Sequence, residues 1–452
     1  MTWSWNRKSE LLEKTAVNRG EKGMEKLVIE GGKRLDGSLS IKGAKNSMLP
    51  IMAASVLSSS SKDLELLNIP DILDMHVMAN ILQSLGVKVK YKKNKLIINV
   101  QDLHSYTISD ELMREMRSSI FLMGPLLARL GKVRVTYPGG CSIGPRPVDL
   151  HFKGLEALGA KISEEKGHIV ASATRLRGAE IHLDYPSVGA TENLMMAAVL
   201  AKGKTVINNA AKEPEIVDLQ NFLNAMGADI RGAGTEVLRI VGVEGLENCT
   251  YRIIPDRIVA GTYLMAAAIT GGRLLLKEII PVHLDAVVAK MREAGVEIKD
   301  GEDSLEVTGG KLRGVETLRT LPYPGFPTDL QAPIMALLTL AEGNSTIIES
   351  VFENRFRHVD ELKRLKAVIS VEGRAAYIKG VKKLYGAEVE ATDLRAGAAL
   401  VLAGLAAEGT TVVSNIKHID RGYEHLEADL QKLGAKIQRI VTEESGVSCQ
   451  RC

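Results

Sequence analysis

Aromatic residues are scarce in this chain, at 4% of 452 residues. A core built on large rings is therefore excluded, and the 45% hydrophobic content must come from Ala, Leu, Ile and Val on closely packed helices and strands. That content also excludes general disorder. Cysteine is as sparse: Cys141, Cys249, Cys449 and Cys452 cannot staple so long a chain, which fits a reducing cytoplasm. The Cys449 and Cys452 pair is half a zinc site without a second pair or a nearby His, and none of the nine His falls in an H-E-x-x-H pattern, so metal-free chemistry is expected. Excess charge is small, 58 Lys and Arg against 55 Asp and Glu, which argues against a nucleic-acid surface but leaves room for a local anion site. Long apolar runs are missing too. The longest, 260–270 and 396–407, fall short of the ~18 residues that span a bilayer, and residues 1–23 lack the apolar block of a secretory signal.

What is present is a repeat. A helical pattern ending in Leu-Gly-Ala or a close relative, then a short alternating strand, recurs at Gly86, Gly159, Gly227, Gly295, Lys366 and Gly434, every 68 to 73 residues. Gly there suits a helix end in the left-handed conformation, and Lys366 breaks the rule once. A second, β-branched strand precedes each of these points, at 64–68, 132–136, 204–208, 273–277, 345–349 and 410–414. Before those strands lie helices apolar nearly all round, at 192–201, 260–270, 330–341 and 394–407, which must be covered on every side. The helices that follow the strands, such as 217–226 and 285–294, are amphipathic. Each unit thus reads helix, strand, helix, strand, strand. Six units of about 70 residues divide naturally into two domains of three, with a boundary near 251–256. The strands 27–30 and 39–42 precede the first unit and are free to pair with either domain.

Several segments carry candidate chemistry. Gly43-Ala44-Lys45-Asn46-Ser47 leads from strand to helix but lacks P-loop spacing, so it reads either as a turn with a solvated Lys or as part of an anion site. The loop 139–149 holds three Gly, two Pro, Cys141 and Arg146, and its thiol is either a nucleophile or acid of lowered pKa or an incidental free Cys. Pro322 to Asp329 leads rigidly into an apolar helix and places Thr328 or Asp329 at its N-cap, as Thr392-Asp393 does in the last unit. Lys45, Arg117, Arg146, Arg355, Arg395 and Arg421 sit at helix ends or loops, and their convergence would suit a strongly anionic small substrate.

Taken together and in order, eight segments from 24 to 440 resemble the UDP-N-acetylglucosamine enolpyruvyl transferases. They are Gly43-Ala44-Lys45-Asn46, Met116-Arg117-Ser118-Ser119, the run from Pro138 through Cys141, Arg146 and Asp149 to His151, Ser187-Val188-Gly189-Ala190-Thr191, Phe326-Pro327-Thr328-Asp329, Val351-Phe352-Glu353-Asn354-Arg355-Phe356, Thr392-Asp393-Leu394-Arg395 and His418-Ile419-Asp420-Arg421-Gly422-Tyr423. The resemblance implies an α/β fold, an inside-out α/β barrel of two domains joined by a double hinge. One domain is 45–252; the other is 24–44 plus 253–440; residues 1–23 and 441–452 lie outside. It also implies the transfer of enolpyruvyl from phosphoenolpyruvate to the 3′-hydroxyl of UDP-N-acetylglucosamine with release of phosphate, the first committed step of peptidoglycan synthesis and hence of cell-wall growth, shape and division. The reaction proceeds by addition then elimination, needs no cofactor or metal, and involves no nucleic acid, membrane or obligate protein partner.

Carried over by position, Cys141 is implied as the acid at C3 of phosphoenolpyruvate, the thiol of a pyruvate adduct and the target of fosfomycin. Asp329 would accept the sugar hydroxyl proton. Lys45, Asn46, Arg146, Arg355, Arg395 and Arg421 would hold phosphoenolpyruvate. Asn46, Arg117, Arg146, Pro147, Val148, Asp149, Leu150, Ser187, Val188, Asp329 and Val351 would line the nucleotide-sugar site. Leu73 and Tyr185 stand where some relatives have lysines. Two rival readings are a 5-enolpyruvylshikimate-3-phosphate synthase and an inactive sensor that binds UDP-N-acetylglucosamine.

Overall fold

The computed structural model describes residues 24–137, 139 and 148–442. The expected unit is seen most plainly in the third repeat, where helix Val188–Ala198, strand Lys204–Asn208, helix Pro214–Ala225 and strands Asp229–Arg231 and Val237–Val241 follow in order. Along strands such as Lys204–Asn208, Val237–Val241, Arg273–Lys277 and Ser304–Thr308 burial alternates, so their sheets turn one face inward and one to solvent. The repeat-end residues are all left-handed: φ is +99° at Gly86, +94° at Gly159, +105° at Gly227, +85° at Gly295, +70° at Lys366 and +94° at Gly434. The lysine therefore keeps the geometry that its repeat position requires.

Among the described residues the strands form six open sheets, five of four strands and one of three. In every four-stranded sheet of the described residues, three antiparallel strands are joined at one edge by a parallel strand, such as Glu180–His182 beside Lys204–Asn208. The parallel strands Glu180–His182, Thr250–Arg252, Leu318–Arg319 and Glu388–Glu390 are not legible in the sequence, because two or three residues carry no readable alternation. In the three-stranded sheet a single parallel bridge, Thr107 to Arg134, takes their place. Strand Thr250–Arg252 pairs back onto Leu64–Leu67 of the first repeat. Met24–Glu30 lies between Thr410–Ser414 and Lys436–Thr442, and Asp36–Ser40 pairs with Arg273–Lys277, which also moves the second expected strand three residues upstream.

The hydrophobic interior falls into two clusters. One runs from Met48 to Ile253; the other joins Leu27 to Ile41 with Ile258 to Ile437. The apolar helices lie inside them, and every residue of Gln331–Leu338 and all but one of Leu394–Ala406 are buried. Two backbone segments cross between the clusters and hold each other: Gly43 bridges Pro255, Ala44 N–H donates to Ile254 O at 2.7 Å and Asp256 N–H to Lys42 O at 2.8 Å. Gly43 is required there, since a Cβ would sit 2.0 Å from the carbonyl oxygen of Asn68. No described helix is long and apolar enough to cross a membrane.

Candidate active site

The crossing segment delivers Lys45 and Asn46 to the start of helix Lys45–Ala54, at the seam of the two clusters. Lys45 is 8% exposed, and its Nζ lies 2.6 Å from Asp74 Oδ2. Asp74 belongs to the first turn of helix Leu73–Ser84, in the first cluster. From the second cluster Arg421 donates to the same carboxylate through Nε at 2.9 Å and Nη2 at 3.3 Å. Burial pushes the Asp74 carboxyl up, yet Lys45 and Arg421 outweigh it and hold the group below the usual range. Burial is also the main force lowering the Lys45 ammonium, opposed by Asp74 and reinforced by Arg421 and Arg395.

A second constellation surrounds Asp329. Its Oδ1 accepts from Arg355 Nη2 at 2.6 Å, and its Oδ2 accepts from Arg395 Nη2 at 3.2 Å and from Asn46 Nδ2 at 3.4 Å. Neither Thr328 nor Asp329 is the expected N-cap. Both lie inside the 3-10 turn Thr328–Leu330, whose preceding residue is Pro327, and the two guanidinium groups hold the Asp329 carboxylate away from the backbone. The Thr328 hydroxyl accepts from Arg355 Nη1 and donates to Glu349 Oε2, each at 2.8 Å. Asp393, by contrast, caps its helix, accepting from the backbone N–H groups of Arg395 and Ala396. Arg395 is buried over the Tyr423 ring at 5.5 Å, and its Nη1 has no hydrogen-bond partner among the described residues. Among the described residues, Lys45, Arg421, Arg355 and Arg395 thus gather about the carboxylates of Asp74 and Asp329, an arrangement suited to an anionic ligand.

The remaining expected residues spread over neighbouring elements. Arg117 opens the turn Arg117–Leu122, Asp149 and Leu150 open helix Asp149–Ala157, and Ser187 caps Val188–Ala198 through Ala190 N–H. His151, on helix Asp149–Ala157, is buried, pulled down to about 4 by burial and then by Arg117, and accepts at Nδ1 from Asn193 Nδ2 at 2.9 Å. Val148 is buried in the first cluster. Val351 lies in the second half, its N–H on Glu349 Oε1 at 2.9 Å. Leu73 and Tyr185 are both 43% exposed. Cys141, Arg146 and Pro147, like Cys449 and Cys452, lie outside the described residues. Among the described residues no three His, Cys, Asp or Glu side chains are grouped to hold a metal ion.

Asp74 and Glu349 are participants that sequence reasoning does not single out, and Tyr423 enters it only as the end of the segment from His418 to Tyr423, without a role. An acid in the first turn of a helix reads as a dipole partner, and Asp74 is in that position; nothing local reveals the two cations folded over it.

A family model described as EPSP synthase (3-phosphoshikimate 1-carboxyvinyltransferase) matches residues 29–430. The chain belongs to the EPSP synthase family. Within that family it is 53% identical over 420 residues to UDP-N-acetylglucosamine 1-carboxyvinyltransferase 2 of Carboxydothermus hydrogenoformans, covering 92% of this chain and 100% of the relative. It is 54% identical over 422 residues to UDP-N-acetylglucosamine 1-carboxyvinyltransferase 1 of Symbiobacterium thermophilum, covering 92% of this chain and 95% of the relative. Among solved structures, the enolpyruvyl transferase NikO from Streptomyces tendae superposes with a TM-score of 0.84 at 26% identity, covering 93% of this chain and all of that one. The EPSP synthase from Acinetobacter baumannii, at TM-score 0.70 and 17% identity over 92% of this chain and 100% of its own, shares the fold.

Proposed function

We infer that this protein transfers the enolpyruvyl group of phosphoenolpyruvate to the 3′-hydroxyl of UDP-N-acetylglucosamine, releasing phosphate in the first committed step of peptidoglycan synthesis. The observation that carries the reading is the convergence, at the seam of the two clusters, of Lys45 and Arg421 on Asp74 with Arg355 and Arg395 on Asp329. More than half identity to carboxyvinyltransferases of UDP-N-acetylglucosamine over nearly their whole length supports the choice of acceptor.

Addition requires that the sugar hydroxyl lose a proton as its oxygen attacks C2, while C3 gains one; elimination then returns that proton and expels phosphate. Asp329 takes the hydroxyl proton, and Asn46 and Arg395 orient its carboxylate. Lys45, Arg421 and Arg146 bind the phosphate and carboxylate of phosphoenolpyruvate, with Arg355 and Arg395 beside them, and stabilise charge that grows on the departing phosphate. Cys141 protonates C3 and is the thiol opened onto by the epoxide fosfomycin. Arg117, Pro147 to Leu150, Ser187, Val188 and Val351 hold the nucleotide sugar. The supporting frame is an inside-out α/β barrel, 45–252 forming one domain and 24–44 with 253–440 the other; the switch of hydrophobic cluster between Ile41 and Met48 and between Ile253 and Ile258 supports that division. The enzyme works in the cytoplasm.

Phosphate release tests the reading. It is expected with phosphoenolpyruvate plus UDP-N-acetylglucosamine and absent with phosphoenolpyruvate plus shikimate 3-phosphate; release with shikimate 3-phosphate would make the chain a shikimate enzyme, and release with neither a binding protein. Cys141→Asp is expected to keep turnover and lose fosfomycin sensitivity.

A further inference from the structure

Arg421 reaches Asp74 from a segment with little regular structure. The four-residue helix Lys417–Asp420 ends at Arg421, and the next helix begins at Leu426. Two anchors flank it. On one side Tyr423 is buried, its hydroxyl 2.9 Å from Thr262 Oγ1. On the other, Asp420 receives Arg439 Nη1 at 2.9 Å and Nη2 at 2.6 Å.

Arg439 does more than pair with Asp420. Its Nε and Nη2 donate to Glu427 at 2.9 and 3.2 Å, and its Nη1 donates to Glu25 at 3.0 Å. Five bonds use the five N–H groups that a guanidinium possesses. The residue stands on strand Lys436–Thr442, in register opposite Leu27 of Met24–Glu30, so its backbone is fixed by the sheet. One side chain therefore ties two strands and the helix Leu426–Lys432 to the residue immediately before Arg421.

We propose that Arg439 is a positioning residue for the reaction, holding Asp420 so that the Arg421 guanidinium stays aimed at the phosphoenolpyruvate site. The inference rests on the reading of Arg421 given above. Lysine cannot replace the fork, because a single ammonium cannot serve three carboxylates in these directions. A purely structural staple would lower stability alone; a positioning residue shifts the substrate that Arg421 binds.

Steady-state kinetics of the full-length protein separate the two. In Arg439→Lys the KM for phosphoenolpyruvate is expected to rise roughly tenfold, since small misplacements of a clamp are costly, while kcat and the KM for UDP-N-acetylglucosamine stay within about twofold. In an Arg421→Lys background the same substitution is expected to add nothing, because its effect passes through Arg421. A lowered melting temperature with unchanged KM, an equal loss in both backgrounds, or a general fall in kcat and both KM values would overturn the proposal. Should Arg439→Lys fail to fold, Asp420→Asn, which leaves Arg439 on Glu427 and Glu25, is read in the same way. An Arg421→Lys protein with unaltered KM for phosphoenolpyruvate would instead remove the role of Arg421 itself.

Discussion

Asp329 receives side-chain donors from three separate segments, Asn46, Arg355 and Arg395, so its carboxylate is held where it can accept one more proton but not where it can cap its own helix. Asp329→Asn keeps the shape and loses the basicity. Turnover is expected to fall roughly 10²-fold or more with the circular dichroism spectrum preserved, and unaltered turnover in the folded variant would remove Asp329 as the base. Lys366 makes a different single-residue argument. Its φ of +70° lies where an L side chain costs ~1–2 kcal/mol, and the other five repeats place Gly there. After the entropy that Gly loses on folding is set against this, Lys366→Gly is expected to gain about 1 kcal/mol, seen as a higher urea midpoint at constant slope. An unchanged or lower midpoint would show that the turn bears no strain.

At the scale of elements, close helix contact depends on small residues. Gly124 in Met123–Leu130 lies against Asn193 of Val188–Ala198, its N–H on Asn193 Oδ1 at 2.5 Å, and a Cβ there would meet Asn193 O at 2.2 Å. Because that atom belongs to the backbone of a buried helix, it cannot step aside. Gly124→Ala is expected to cost about 1–3 kcal/mol in denaturant titration, and a neutral result would mean that the two helices separate freely. Elements of this kind were the legible part of the sequence. The unit of buried helix, strand, amphipathic helix and hairpin shows itself through left-handed Gly at fixed intervals and through helices without a polar face. The parallel edge strands Leu318–Arg319 and Glu388–Glu390 are too short to read. The site divides similarly: Lys45, Asp329, Arg355, Arg395 and Arg421 were found as residue types at helix ends, and the structure brings them together. The roles of Asp74 and Tyr423 were hidden because they lie in partners far along the chain, Arg421 for Asp74 and Thr262 for Tyr423.

For the whole molecule, the two clusters meet through a few polar contacts, with Arg421 on Asp74, Arg257 on Glu215 at 3.1 and 3.2 Å, and Asp71 N–H on Glu424 at 2.9 Å. Each cluster also buries a histidine. His151 lies in the first and is pulled down to about 4 by burial and by Arg117, against Asp149; His358 lies in the second and is pulled to about 4 by burial and by Arg355, against Asp393. His151 accepts from Asn193 at Nδ1, and His358 Nε2 has no partner among the described residues. An unfolded chain binds these protons near the ordinary histidine value of 6.5, whereas the folded chain resists them until about 4. The stability they contribute is therefore complete above pH 6.5 and is lost as pH falls towards 4, by about 3 kcal/mol for each ring. Glu192 acts in the opposite sense. Burial, then Glu215 and Glu213, pushes its carboxyl well above the usual value, and both its oxygens lack partners among the described residues. An unfolded chain gives up that proton first, so stability falls as pH rises above 4.5. Urea midpoints measured from pH 4 to 8 are expected to show both limbs. His151→Gln and His358→Gln should each flatten the acid limb by about one proton, and Glu192→Gln should raise the midpoint at pH 8 while leaving it unaltered at pH 4. An acid limb as steep in His151→Gln as in the parent would show that this ring is protonated in the folded protein, and the neutral hydrogen bond from Asn193 would then have to be redrawn.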